Sequence, residues 1–494
     1  MNLSLLLHTI CHLRLVQVWY QIKSRAFKSK YVLRDAPSFF VKGLMAVPIP
    51  REHCLDGDVF SFVNLDHGFA GWNYDGLGSL WTYNQNYFDW LNQEGAGEEG
   101  VQWIDRFIDE VLSCPEKAGM SLDSYPIALR SINWIKFFCR YPGLATKKRL
   151  DSLYSQLRLL EKKLEYHILG NHLLEDSYAL YFGASFFSDQ RLLNKAERLL
   201  MAQLKEQILP DGANFEQSPM YHCILLDRLL DCINVRRTDE LEHYAKRMLG
   251  YLDSIAWEDG TIPLLNDSAW GIAPAPKQIF DYARRLGINW EPVRMSESGY
   301  RKMTDETMEA IVDVGDITAT YQPGHSHADT FNYVLRIDGK PIVVDTGIST
   351  YNKTERRQLE RSTIAHNTVV VNGKNSSEVW GGFRVGRRAK IVNEKEDLEE
   401  KRGGILEATH NGYKGLCRRR FEMKGNHFVV EDWFDGEAVS YIHLAKDVDE
   451  NRIMVEDALS IEIKPWKYSV EYNRFLDGKV MAIRFKGHCR YSIH

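Results

Sequence analysis

The stretch Tyr333-Val-Leu-Arg-Ile-Asp-Gly-Lys-Pro-Ile-Val-Val-Asp345 fixes where this chain changes character. Two β-branched runs flank Asp338-Gly339, a dipeptide that tolerates the positive φ of a two-residue hairpin turn. Downstream the pattern repeats. Thr368-Val-Val-Val371 runs into Asn372-Gly373, and Phe428-Val-Val-Glu-Asp432 and Ile461-Glu-Ile463 follow. Short strands punctuated by turns predict an antiparallel sandwich. Upstream the period is helical: Val101, Ile104, Phe107, Ile108, Val111 and Leu112 form one apolar stripe, and Leu150, Leu153, Leu157, Leu160, Leu164 and Ile168 another. Leu193, Ala196, Leu200, Leu204 and Ile208 make a third, and Leu241, Tyr244, Ala245, Met248, Leu252 and Ile255 a fourth. Each keeps the i, i+3/i+4, i+7 spacing of one helix face. Tyr141-Pro-Gly143, Leu209-Pro-Asp-Gly212 and Glu258-Asp-Gly260 separate them. Successive helices without a strict repeat predict a helical toroid or solenoid. The polar run Glu291 to Met303 marks the change, so the expected domains are 1–305 (helical) and 306–494 (sandwich).

Composition narrows the function. The chain has 494 residues, 44% hydrophobic and 26% charged, which excludes disordered and multi-span membrane classes. A net charge of −5 gives no basic footprint for nucleic acid. Eight cysteines, widely spaced and without a Cys-x-x-Cys, argue against a disulfide scaffold or a zinc finger. The apolar run from Leu3 to Leu15 is interrupted by His8 and His12 and followed by Arg14, Lys23, Arg25, Lys28 and Lys30. That polarity is opposite to a secretory signal, so an amphipathic first helix is expected, with cytoplasmic residence favoured over periplasmic. The run is too short to span a bilayer. The oligomeric state stays open.

Four polar clusters hold candidate chemistry: Gly170-Asn-His-Leu-Leu-Glu175-Asp176, Asn214-Phe-Glu-Gln-Ser-Pro-Met-Tyr-His222, Pro323-Gly-His-Ser-His-Ala-Asp329 and Arg361-Ser-Thr-Ile-Ala-His-Asn-Thr368. Of 16 histidines, positions 172, 222, 325, 327 and 366 fall within them. Clusters in both halves suggest a site in the cleft between domains.

With Leu80-Trp-Thr-Tyr-Asn-Gln-Asn-Tyr-Phe-Asp-Trp90, Tyr125-Pro126, Asn133-Trp134, Asn266-Asp267 and Glu378-Val-Trp-Gly381, these pieces occur in the order seen in the heparinase II/III family of polysaccharide lyases, which the chain resembles. The resemblance implies an N-terminal incomplete (α/α) toroid followed by an antiparallel β-sandwich. It also implies β-elimination at a uronic acid of an acidic glycan, glycosaminoglycan-like or alginate-like. By resemblance, Asn171 and His172 face the uronate carboxylate, and Tyr221 acts as acid, or as acid and base. His325 is a base or a second carboxylate contact. Glu175, at i+3 from His172, would orient it. Trp81, Asn133, Trp134, His222, Arg384 and Arg388 are candidates for substrate contact, the arginines through bidentate pairing. The family resemblance further implies a structural zinc held by His327, Asp345 and His366. A uronyl C5-epimerase and a non-catalytic glycan-binding protein are the alternative readings.

Overall fold

The computed structural model describes residues 3–27, 29–37, 43–399 and 402–494, so Lys28 of the basic N-terminal segment lies outside the described residues. Up to residue 285 the chain is mainly helical. The main helices are Ser79–Tyr87, Gly97–Phe107, Ser124–Arg140, Lys147–Leu160, Gly170–Phe186, Gln190–Gln207, Pro219–Val235, Asp239–Ile255 and Pro276–Arg285. The apolar stripes face inward: Ile104, Phe107, Leu153, Leu157, Leu200, Leu204, Met248 and Leu252 share one core with Trp90, Trp134 and Phe137. Asp189, Ser218 and Thr238 cap three of these helices through side-chain acceptors, which satisfies N–H groups that helix starts leave unpaired. A three-stranded sheet, Leu55–Asp56, Val59–Phe62 and Leu65–Gly68, sits within this half and was not foreseen from sequence.

In the second half, strands from Tyr300 onward build a twelve-stranded antiparallel sheet. The hairpin falls where the sequence puts it: Tyr333–Ile337 pairs with Lys340–Val343, with Asp338 and Gly339 both at positive φ. The longest pairing joins Phe428–Leu444 to Arg474–Ile493. Its register shifts between Phe434 and Glu437 at a bulge that includes Gly436, φ 139°. A bulge bends a strand. Phe428–Leu444 therefore serves Gly415–Met423 at one end and Val343 and Val369–Val370 at the other. The helix-then-antiparallel-sheet architecture is the one the sequence implied.

At the N-terminus, two short helices, Leu3–Ile10 and Leu15–Ala26, replace the single one expected. They strap across both halves: Trp380 donates to Thr9, and Gln17 donates to the carbonyls of Ile168 and Tyr321. Among the described residues, no helix is long and apolar enough to cross a membrane.

The sheet carries a buried charge that organises the loops above it. Arg419 makes a forked pair with Asp432 (2.6 and 2.7 Å) and donates to the carbonyls of Phe331 and Asn367. Those carbonyls end the loops bearing His325, His327 and His366. Asp432→Ala strands the guanidinium in the core. The expected cost is about 3–5 kcal/mol, read as a lower denaturant midpoint.

Candidate active site

Between the halves lies a cleft of about 670 Å³, within the size range of small-molecule and sugar sites. Three pieces of backbone place its chemistry. The first is the start of helix Gly170–Phe186. Leu169 and Gly170 both take positive φ, and a Cβ on Gly170 would stand 2.5 Å from Glu216 Oε1. Only glycine leaves room for Glu216 to cap this helix. Its Oε1 accepts from the Asn171 backbone N–H at 2.7 Å, and the Asn171 side-chain amide donates to both carboxylate oxygens at 3.1 and 3.0 Å. The second is the turn ending at Ser218, after which Tyr221, Ile224 and Arg228 project from one face of helix Pro219–Val235 into the cleft. The third comes from the sheet half: Gly324 and His325, with Tyr351, Phe383 and Tyr472.

These pieces converge. The Tyr221 and His325 rings lie 3.8 Å apart between centroids. Tyr351 donates to the Tyr221 hydroxyl at 3.3 Å. Asn171 Nδ2 is 3.3 Å from His325 Nε2, and His325 Nδ1 is 3.0 Å from Asp267 Oδ2. An amide N–H can only donate, so it assigns Nε2 as acceptor and puts the ring proton on Nδ1, facing Asp267. Asp267 also receives His327 Nε2 at 2.8 Å and the Arg357 guanidinium at 2.5 and 2.8 Å. Burial would raise the Asp267 carboxyl, but Arg357 and the two histidines outweigh it and hold it well below the usual carboxylate range. Burial pushes the Tyr221 phenol upward, so it keeps its proton.

Several sequence expectations are corrected. Glu175 does not hold His172. It is buried beneath the cleft, 4.0 Å from Arg228, and burial raises it to about 7. His172 Nδ1 instead meets Glu165 at 3.0 Å. Glu165 precedes the helix and came from no helical spacing. Trp81 and Trp134 belong to the core rather than to a sugar-stacking wall; Trp81 donates its indole N–H to the Leu65 carbonyl. Asn133 does reach the cleft. His222 faces inward, between the Asn214 N–H and the Met248 carbonyl, and burial lowers it to about 4. It shapes the Tyr221 loop without lining the cleft. Arg384 lies over the Trp380 ring and Arg388 is half-buried, and neither lines the cleft. Sequence reading missed Glu165, Glu216, Asp267, Arg357 and Tyr351 as site residues. Glu216 stood inside a quoted cluster; Arg357 gave no local signal.

The zinc expectation is also overturned. Among the described residues, no group of three or more His, Cys, Asp or Glu is arranged to hold a metal ion. His327 and His366 lie with ring centroids 5.2 Å apart, and each keeps one ring nitrogen without a protein partner. Two nitrogens are not a ligand set. The carboxylate meant to complete it, Asp345, accepts from Asn332 (2.6 Å) and Gly347 (2.8 Å) and pairs with His366 Nδ1 (2.7 Å). A hydrogen-bonded network, not a zinc centre, fits these residues.

The fold and cleft define a helical layer joined to an antiparallel sheet with a polar site at their seam. Comparison with known proteins gives the same class. The family profiles "Heparinase II/III N-terminus" and "Heparinase II/III-like, C-terminal" match residues 146–284 and 287–492. The chain belongs to the heparinase II/III family. It is 24% identical over 458 residues to a heparin-sulfate lyase of Pedobacter heparinus, covering 84% of this chain and 63% of that protein. With a heparin-sulfate lyase of Bacteroides stercoris it shares 21% over 329 residues, covering 58% of this chain and 47% of the relative. The chain thus spans from about half to under two thirds of these relatives' length. The crystal structure of a heparan sulfate lyase mutant from Pedobacter heparinus superposes with a TM-score of 0.61 at 16% identity, covering 97% of this chain and 87% of that one, and a heparinase III structure does so at 0.62 and 14%, covering 86% and 79%. At such identity these superpositions establish the fold.

Two outcomes follow. Protein purified without chelator should carry substoichiometric zinc, and chelation should leave its melting temperature unchanged. For His172, burial disfavours the charged form, but Glu165 outweighs this and raises the pKa above 6.5. The imidazolium therefore persists to higher pH than that of an ordinary histidine and is lost as pH rises through the raised value. Glu165→Gln should move that loss to lower pH, read by NMR titration of the His172 ring.

Proposed function

We propose that this protein is a polysaccharide lyase that cleaves a uronic-acid-containing glycan by β-elimination. The single observation that carries this reading is the Tyr221–His325 pair, supplied by opposite halves of the molecule and seated against Asn171. Elimination needs a base at C5, an acid at the 4-oxygen and donors for the carboxylate on which charge builds. His325 Nε2, acceptor by its hydrogen bonds, takes the C5 proton; Asp267 orients the ring and stabilises the imidazolium that forms. The C5–H electron pair becomes the C4–C5 double bond as the C4–O4 bond breaks. Tyr221, protonated because burial disfavours its phenolate, gives its proton to the departing oxygen. Asn171 and protonated His172 face the uronate carboxylate. Glu216 and His325 engage the Asn171 amide protons, so bound substrate must draw one of them to its carboxylate.

The relatives' names, heparin-sulfate lyase and heparinase III, support the reaction class. An epimerase would return a proton to C5 and leave the chain intact. The two are separated by incubating acidic glycans in heavy water. The lyase reading requires ultraviolet absorbance from a 4,5-unsaturated uronate; deuterium at C5 without that absorbance overturns it. Tyr221→Phe removes one hydroxyl and should lower kcat at least a hundredfold with little change in stability, as expected for loss of a positioned proton donor. Asn171→Ala should lower kcat by about 10²–10³. A change in KM alone would remove the amide from the transition state.

A further inference from the structure

The two helices that strap the molecule are mounted with their apolar sides outward. In helix Leu15–Ala26, Leu15 is 88% exposed, Val18 41%, Trp19 63% and Ile22 60%. Their i, i+3, i+4, i+7 spacing makes one stripe. The opposite, polar side holds the helix to the protein. Gln17 is its one buried residue and donates to the Ile168 and Tyr321 carbonyls. Arg14, just before the helix, lies 3.8 Å over the Tyr321 ring and pairs with Glu206. Helix Leu3–Ile10 repeats the arrangement. Leu3, Leu7 and Ile10 are exposed on one side, while on the other Thr9 accepts from Trp380 and His8 meets Glu378 at 2.9 Å. A surface helix ordinarily turns its apolar stripe to the core. Here the core side is polar, so burial against the described residues does not account for either stripe.

The surrounding charge selects the occupant. Residues 1–34 contain six Lys or Arg and no Asp or Glu, in a chain whose net charge is −5. At 3.6 residues per turn, Lys23 and Arg25 fall on the two edges of the outward stripe. Both are exposed, and neither has an acidic partner among the described residues. Arg384, exposed over the Trp380 ring, adds a cation beside helix Leu3–Ile10. An apolar stripe that carries a tryptophan and is edged by fixed cations fits the boundary of a lipid layer. Its apolar side chains enter the acyl region, and Lys and Arg reach the headgroups. A second copy docked stripe to stripe would set cations against cations without a counter-charge. We infer that the strap is a membrane-surface site that seats the protein on anionic lipid, with helix Leu15–Ala26 lying in the headgroup plane. Ile168, which accepts from Gln17, also lines the cleft, so the seat adjoins the cleft. Lipid attachment of this kind does not depend on which reaction the cleft performs.

The test is flotation of the full chain with vesicles of phosphatidylcholine alone and of phosphatidylcholine mixed with phosphatidylglycerol, at low and at high salt. The expected result is a partition onto the mixed vesicles at least tenfold stronger than onto the neutral ones, lost at high salt through screening. Two variants separate the contributions. Trp19→Ser with Ile22→Ser removes apolar contact, and Lys23→Gln with Arg25→Gln removes charge. Each should weaken partition at least tenfold, and since all four side chains are exposed the melting temperature should stay unchanged. The charge variant alters no apolar residue, so it tests the inference even if the serine variant folds poorly. No binding to the mixed vesicles, equal binding to both compositions, or binding that survives both variants overturns the inference. Sedimentation velocity without lipid tests the rival occupant. A dimer dissolved by Trp19→Ser with Ile22→Ser, in a protein that ignores the vesicles, would mean that a second copy covers the stripe and overturns lipid docking.

Discussion

The Asp267 carboxylate is the constraint on which the site depends. It is fully buried, an arrangement that costs several kcal/mol unless the charge is paired and its lone pairs are filled. Here both conditions hold. Arg357 supplies a forked cation, and His325 and His327 add ring nitrogens. Asp267 lies on the chain before helix Pro276–Arg285, whereas its partners come from the sheet half: His325 and His327 from a loop and Arg357 from the short helix Glu355–Glu360. One carboxylate thus joins the halves and fixes the ring that faces the cleft. Ser218, which caps the Tyr221 helix, donates its hydroxyl to the Asp267 carbonyl at 2.7 Å, so the same residue also anchors the phenol's helix.

From that node Tyr221 and His325 acquire separate environments. Tyr221 sits among Tyr351, Tyr472 and the His325 ring, where burial keeps a phenol protonated. His325 is held from behind by a carboxylate whose own proton affinity is depressed by Arg357. In the proposed reaction a phenol that keeps its proton stands beside a ring nitrogen that accepts one, the arrangement an acid–base pair needs. Glu216 has the matching role on the helical side, capping helix Gly170–Phe186 and fixing the Asn171 amide in one arrangement.

His327, Asp345 and His366 illustrate how residue types alone can mislead. Two imidazoles and a carboxylate suit a borderline cation, yet each histidine has a different carboxylate as its partner. His327 belongs to the Asp267 node and His366 to Asp345, which Asn332 and Gly347 also occupy. These residues tie loops together beneath the site.

The sequence by itself determined the order of layers, because burial on one face writes a period of 3.6 or 2 into the chain, and Asp338-Gly339 can only be a tight turn. Polar clusters that stand out against an apolar periodic background marked the stretches, and the family resemblance picked Asn171, His172, Tyr221 and His325 out of them. Partner choice was decided by tertiary structure alone. Glu165 rather than Glu175 meets His172; Trp81, Trp134 and His222 turn into the core; Arg384 and Arg388 stay off the cleft. The physical reason is range. Periodicity records which face of an element is buried, whereas an ion pair such as Arg357–Asp267 joins residues 90 positions apart, and nothing in either local stretch encodes the other.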